Sequence, residues 1–291
     1  METKELRMLI VKTLVLFSIA FCVVGCKKNN ESDDPNNNVG KPNEEEFTVS
    51  NVGFKMIYVE GGTFNMGSNC EDNPDCYGDE GPMHSVTLGD FYICETEVTQ
   101  ALWTAITGTR LIQLADEYDL PLYGVGDNYP MYYISWNDCQ DFIDKLNETF
   151  AHQLGDRRFS LPTEAEWEYA ASGGQKSHGY IFSGSDNIED VAWYYENSDY
   201  ETHPVAQKRA NELGLFDMTG NVWEWCADWY DDMYYSHSPA QNPTGPETGT
   251  ERVNRGGGYN VIPRCCRVTT RVRCLEPGVH SPDSGLRLVL H

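Results

Sequence analysis

The sequence predicts an α+β fold with few regular elements. Three observations lead there. Three helices are legible from their caps, the candidate strands are short and punctuated by Gly, Asn and Pro, and two long intervals lack any sustained period. The elements do not alternate as β-α-β units, which argues against a doubly wound parallel sheet.

In chain order, strands are expected at 55–60, 62–67, 85–88 and 91–95. Thr99 can cap a short helix that runs through Leu102, Trp103 and Ile106 and stops at Gly108. Ser135 can cap a second, with Cys139, Phe142, Ile143 and Leu146 on one face. The third opens Leu161-Pro162-Thr163-Glu164-Ala165-Glu166, where Thr163 and Glu166 form a capping box, and Gly173-Gly174 ends it. Strands at 222–226 and 286–290 complete the set, with loops across 172–213 and 231–254.

The chain has 291 residues, enough for one large domain or two ordinary ones. Hydrophobic residues make up 40% and aromatics 12%, so most of the chain can bury a core. Lys plus Arg number 21 against 45 Asp plus Glu, a formal charge of −24 that repels phosphate backbones and excludes a nucleic-acid partner. From Phe47 onward there is neither a linker-like stretch nor an internal repeat, so residues 47–291 read as a single domain.

The first 25 residues read as an address. Lys4, Arg7 and Lys12 precede an apolar run at 14–24 that is too short for a comfortable membrane span and has secretory-signal proportions. Val23-Val24-Gly25-Cys26 resembles a bacterial lipobox, with Val where Leu is commoner. That makes Cys26 the lipidated residue and the membrane a partner through its acyl chains. Residues 26–46 are polar, rich in Asn and acids, and read as a disordered tether. The Lys pair followed by acids resembles surface-export signals of Bacteroidetes lipoproteins, which places the chain at the outer membrane or cell surface. Removing the signal leaves 18 basic and 43 acidic residues, a net −25 on the mature chain.

The densest chemistry lies at 211–230 (NELGLFDMTGNVWEWCADWY). Asp217 and Glu224 flank Gly220, and two carboxylates with backbone carbonyls around a glycine turn suit a hard cation such as Ca²⁺. The same residues also serve as turn and cap acids around core tryptophans. Near the C-terminus, Cys265, Cys266 and Cys274 stand among Arg264, Arg267, Arg271 and Arg273. Thiolates there could bind a soft metal or act as nucleophiles, whereas in an exported protein cysteines usually pair as disulfides. Cys70 and Cys76 bracket an acidic loop and predict a local disulfide, while Cys94, Cys139 and Cys226 fall in element-like segments, buried or paired. No G-x-S-x-G, Walker, G-x-G-x-x-G or H-E-x-x-H motif is present.

Seven segments in order resemble the formylglycine-generating enzyme, or sulfatase-modifying factor, family. They are GGTFNMGS, FYICETEVTQALWTAITG, YPMYYISWNDCQDFIDKLN, RFSLPTEAEWEYAASGG, the 211–230 segment, RVNRGGGY and SGLRLVL. The resemblance spans about 54–290 and implies a C-type-lectin-like fold of short strands, two to three helices and long irregular loops. It also implies a structural Ca²⁺ site at Asp217, Gly220, Val222 and Glu224, two side chains and two backbone carbonyls. Asn197 and Asp199 are at most remnants of a second one.

The family's enzymes carry a C-x-x-x-x-C pair that binds copper(I), with which O₂ oxidises a substrate cysteine to formylglycine. Here the second position is Cys266, but the first is Val261, which cannot ligate a metal. Gly258 replaces the serine of G-G-S, and Ile262 replaces the histidine after the first cysteine. Two readings follow. One is a non-catalytic binding or scaffold lipoprotein of the cell envelope, recognising an envelope protein, a peptide or a glycan, with Trp193, Tyr194 and Tyr195 as candidate contacts. The other is a formylglycine-generating oxidase using Cu⁺ on Cys266 with Cys265 or Cys274 as a substitute partner.

Overall fold

The computed structural model describes residues 42–71, 74–273 and 276–291. The signal at 1–25, Cys26, the tether up to residue 41, and Cys274 lie outside the described residues.

Eleven strands are present among the described residues: β1 Glu44–Val49, β2 Val52–Val59, β3 Gly62–Met66, β4 His84–Leu88, β5 Phe91–Cys94, β6 Phe159–Ser160, β7 Trp223–Trp229, β8 Arg252–Arg255, β9 Arg271–Arg273, β10 Ser284–Gly285 and β11 Val289–Leu290. Four α-helices accompany them: α1 Gln100–Thr107, α2 Leu111–Tyr118, α3 Trp136–Leu154 and α4 Glu164–Ala171. The sheets run β1-β2-β5-β11-β6, β10-β7-β8-β9 and β3-β4. This mixed architecture of short strands and long loops is the α+β class expected.

The caps form as their chemistry dictates. Thr99, Ser135 and Thr163 each accept the N–H three residues on, and Asp138 and Glu166 return the contact to close two capping boxes. The predicted face of α3 is buried, from Cys139 through Phe142, Ile143 and Leu146 to Phe150. It packs against the five-stranded sheet, where Phe47, Phe54, Phe150 and Phe159 make edge and stacked ring contacts at 5.1–6.2 Å. Trp103 of α1 stacks on Phe142 with ring centroids 4.9 Å apart. A second core joins α4 to β4, β5, β8 and β11 through Val86, Ile93, Trp167, Met218, Val253 and Val289.

Four expectations need correction. The fold begins at Glu44, inside the stretch expected to be tether. Glu44 and Glu46 point outward toward Lys55 while Glu45 pairs with Arg157, so three acids fit an edge strand. Helix α2 makes a fourth helix. Its N-cap is Arg110, which lacks a side-chain acceptor, and Gln113 supplies the reciprocal contact instead. The strand expected at 286–290 shortens to β11, Val289–Leu290, between β5 and β6, and a separate β10 at Ser284–Gly285 precedes it beside β7. The strand expected at 222–226 runs from Trp223 to Trp229.

Strands β8 and β9 were not expected because they are arginine-rich. Arg255 and Arg271 are nevertheless buried, since α4 presents Glu164 and Glu168 to them. Arg271 makes a two-pronged contact with Glu164 at 2.7 and 2.8 Å, and Arg255 bonds Glu168. Burial opposes ionisation of Glu164, but the two guanidiniums outweigh it and hold its carboxyl below the usual range. Asp228 beside them accepts the Glu164 N–H at 2.9 Å. Burial, reinforced by the Glu164 charge, pushes Asp228 up to about 8.

Candidate functional site

The turn from Asp217 to Val222 leads into β7. At Gly220 (φ +81°) a Cβ would stand 2.3 Å from the Trp193 carbonyl oxygen, so only glycine fits. Asp217 and Asn221 also lie in the left-handed region, which Asp and Asn tolerate best among side-chain-bearing residues. The turn is pinned from outside by Glu97, just beyond β5. Glu97 accepts the Asn221 side-chain amide at 2.8 Å and the Val222 N–H at 3.2 Å. Asn221 in turn accepts the His203 N–H and donates to its carbonyl.

Asp217 accepts the Ala206 N–H on Oδ2 at 2.7 Å, while its buried Oδ1 has no hydrogen-bond partner. Glu224 faces away from Trp223 and Trp225, as alternation requires, and is fully buried. Both its oxygens are engaged: Arg287 donates at 2.8–3.0 Å and the Trp167 indole at 2.7 Å. Arg287 also donates to the Cys94 and Phe216 carbonyls, which locks the guanidinium in place. Glu97, Asp217 and Glu224 thus share one arginine. Burial pushes Glu97 well above the usual carboxylate range, and the Asp217 and Glu224 charges push it further. Burial likewise raises Asp217 to about 6, with Glu224 adding to the shift.

The four residues expected at a cation site therefore lie on one turn and the start of β7, and the surplus of negative charge and the bare Asp217 oxygen fit a hard dication in charge and donor type. Glu224 is less available than expected because Arg287 already neutralises it. Among the described residues no three His, Cys, Asp or Glu side chains converge as a metal cluster, so backbone carbonyls would have to complete any coordination. Sequence reading missed Glu97, Asn221 and Arg287. Their contacts to the turn arrive from distant segments or through a side-chain amide, and no local spacing signals them. Asn197 closes its own turn, accepting the Tyr194 N–H and donating to Glu189 and the Ala192 carbonyl.

The cysteines depart further from expectation. Cys70 and Cys76 form the predicted disulfide. Cys265 and Cys266 are free, not bridged, and so are the buried Cys94, Cys139 and Cys226. Cys266 ends a short 3₁₀ turn, 263–266, and is sealed in a cluster with Phe182, Ile188, Val191 and Tyr194. Val261 packs on the same cluster. A Cβ on Gly257 (φ +84°) would stand 2.5 Å from the Cys266 sulfur, so the main chain itself covers the thiol. Burial pushes that thiol far above its ordinary value. Cys265 is half-buried and lies 3.5 Å from the Tyr77 hydroxyl. Burial separates the adjacent thiols, and no second sulfur stands at Val261. Among the described residues the donor set does not fit copper(I).

The aromatic candidates split as well. Tyr194 is core, Trp193 stacks on His203 at 3.8 Å with Lys208 4.1 Å above its ring, and Tyr195 is exposed with its edge against Tyr200.

Residues 43–291 match the sulfatase-modifying factor enzyme 1-like domain. The chain belongs to that family. It is 35% identical to "Chaperone protein LppX" of Paenibacillus barcinonensis over 82% of this chain and 90% of that protein. It is 31% identical to a "Formylglycine-generating enzyme" of Streptomyces coelicolor over 79% of this chain and 85% of that protein. Among solved structures, Treponema denticola variable protein 1 superposes with a TM-score of 0.73 at 31% identity, covering 86% of this chain and 99% of that one. The sulfatase-modifying factor fold is thus shared by relatives whose names include both a chaperone and an enzyme.

Proposed function

We propose that this family member is an exported lipoprotein whose domain binds a protein partner of the cell envelope and does not oxidise it. One observation carries the reading: Val261, an apolar side chain, packs on the cluster that encloses Cys266, where the enzymes of the family need two accessible thiolates. The arrangement makes Cys266 a core residue. The relative named as a chaperone supports a partner-binding role, with a peptide or a glycan as narrower ligands of the same kind of surface.

Cys26 would carry the lipid and residues 27–43 the tether, which places the domain at the outer membrane or cell surface. Among the described residues no helix is long and apolar enough to cross a membrane. Ca²⁺ would be held by Asp217, by the Gly220 and Val222 carbonyls, and by Glu224 in competition with Arg287. It would supply charge neutralisation and stiffen the turn. This chain's own part is to present the bare Asp217 oxygen and to hold the turn open with Glu97.

The test supplies the purified full chain with copper(I), O₂ and a C-x-P-x-R peptide and follows the peptide mass. No conversion is expected. Conversion that disappears in Cys266→Ala would establish the oxidase with Cys265 or Cys274 as partner and overturn the binding reading. Replacement of Cys26 by serine is expected to move the protein from the membrane to the soluble fraction.

A further inference from the structure

A cavity of about 380 Å³ opens between α1, α2 and α3, sharing no residue with the Gly220 turn or the cluster around Cys266. Its size is that of a small-molecule site. The bed is apolar and aromatic. Trp103, stacked on Phe142, forms one wall with Ile134, and Leu114, Tyr118 and Leu120 from the α2 region form the other. The walls are held from behind: Tyr133 donates its hydroxyl to the Pro121 carbonyl at 3.0 Å.

The mouth carries charge of both signs on α3. Asp138, Asp141 and Lys145 line it, spaced three and four residues apart and so on one face of the helix. Asp138 is already committed, since one oxygen takes the Ser135 N–H and hydroxyl and the His280 ring. Asp141 and Lys145 differ. Both are exposed, and among the described residues neither has an ion-pair partner, although they stand one turn apart. A helix therefore presents one free anion and one free cation side by side above an apolar bed.

We infer that this cavity is a binding site for a small zwitterion with an apolar side chain, an α-amino acid of the aromatic or branched aliphatic class. The ammonium group meets Asp141, the carboxylate meets Lys145, and the side chain lies against Trp103 and Phe142. Opposite charges held close together match an amino acid better than an anion or a cation alone, each of which would leave one rim charge facing its like. The exposed Tyr118 is placed to cover the ligand.

The test is calorimetric titration of the purified full chain with L-phenylalanine and L-leucine, beside N-acetylphenylalanine and phenylalaninamide. Saturable binding of at least one free amino acid is expected, with either blocked derivative weaker by about tenfold or more, as for loss of one charge-assisted contact. Asp141→Asn and Lys145→Gln, both exposed substitutions, are each expected to weaken the free amino acid by a similar factor while leaving the thermal midpoint unchanged. Leu114→Trp, which fills the cavity, is expected to abolish binding. Absence of saturable binding by both amino acids overturns the inference. So does binding that ignores the blocked termini and survives both charge substitutions.

Discussion

Two buried carboxylate clusters in this molecule are built from the same residue types and end in opposite electrostatic states. Around α4, Glu164 and Glu168 meet Arg255 and Arg271, and the one extra acid, Asp228, takes a proton near neutrality. Around Gly220, Glu97, Asp217 and Glu224 share Arg287 alone. There burial with the neighbouring charges pushes Glu97 well above the usual carboxylate range and Asp217 up to about 6. The first cluster is complete in itself and holds strands to a helix. The second leaves three acids to one arginine. Burial of carboxylates alone does not set the balance of such a cluster; the count of arginine partners does.

The comparison breaks most visibly at Arg271. Arg271→Met leaves Glu164 short of its two-pronged partner in a dry site and is expected to cost about 3–5 kcal/mol in urea unfolding. A loss below 1 kcal/mol would show that the α4 cluster is not closed as described.

Asp228 gives the next effect. Its folded value, about 8, lies above the unfolded value near 3.8, so the folded state holds the proton more tightly. Stability from this group is therefore present at low pH and falls as pH rises through 8, by roughly 1 kcal/mol per pH unit between pH 5 and 8. Asp228→Asn is expected to flatten that slope, measured as the urea midpoint across the same range.

For the Gly220 turn, Ca²⁺ at a hundredfold excess over its dissociation constant is expected to stabilise the protein by about 2.7 kcal/mol relative to chelator. Asp217→Ala is expected to remove the difference. A calcium effect that persists in that variant would separate the ion from the turn. Smallest of all, Arg157→Ala removes the half-exposed Glu45 pair at the edge of β1 and is expected to change stability by less than about 1 kcal/mol.

What the sequence made legible follows from where the decisive contacts lie. The caps at Thr99, Ser135 and Thr163 act over three residues, and the apolar face of α3 repeats within one helix, so both are readable locally. Helix α2 is not, because its N-cap, Arg110, has no side-chain acceptor and Gln113 supplies the reciprocal contact. Strands β8 and β9 were hidden by arginines that look solvent-exposed until Glu164 and Glu168 are placed opposite them. The turn at Gly220 was readable as an acidic glycine turn, but its counterion, Arg287, stands 63 residues from Glu224 along the chain. The thiols at Cys265 and Cys266 looked like bridging partners because spacing says nothing about which side faces the core.

The splitting of the C-terminal segment has a consequence for biosynthesis. Residues 284–290 contribute β10 to one sheet and β11 to the middle of another, and the intervening Arg287 neutralises Glu224. None of these can be in place while residues 284–290 are still inside the ribosome. The β5-β11-β6 ladder stays open and Glu224 stays without Arg287 until residues 284–290 have emerged. A chain that has yet to deliver residues 284–290 can therefore complete neither sheet, and the two sheets finish together.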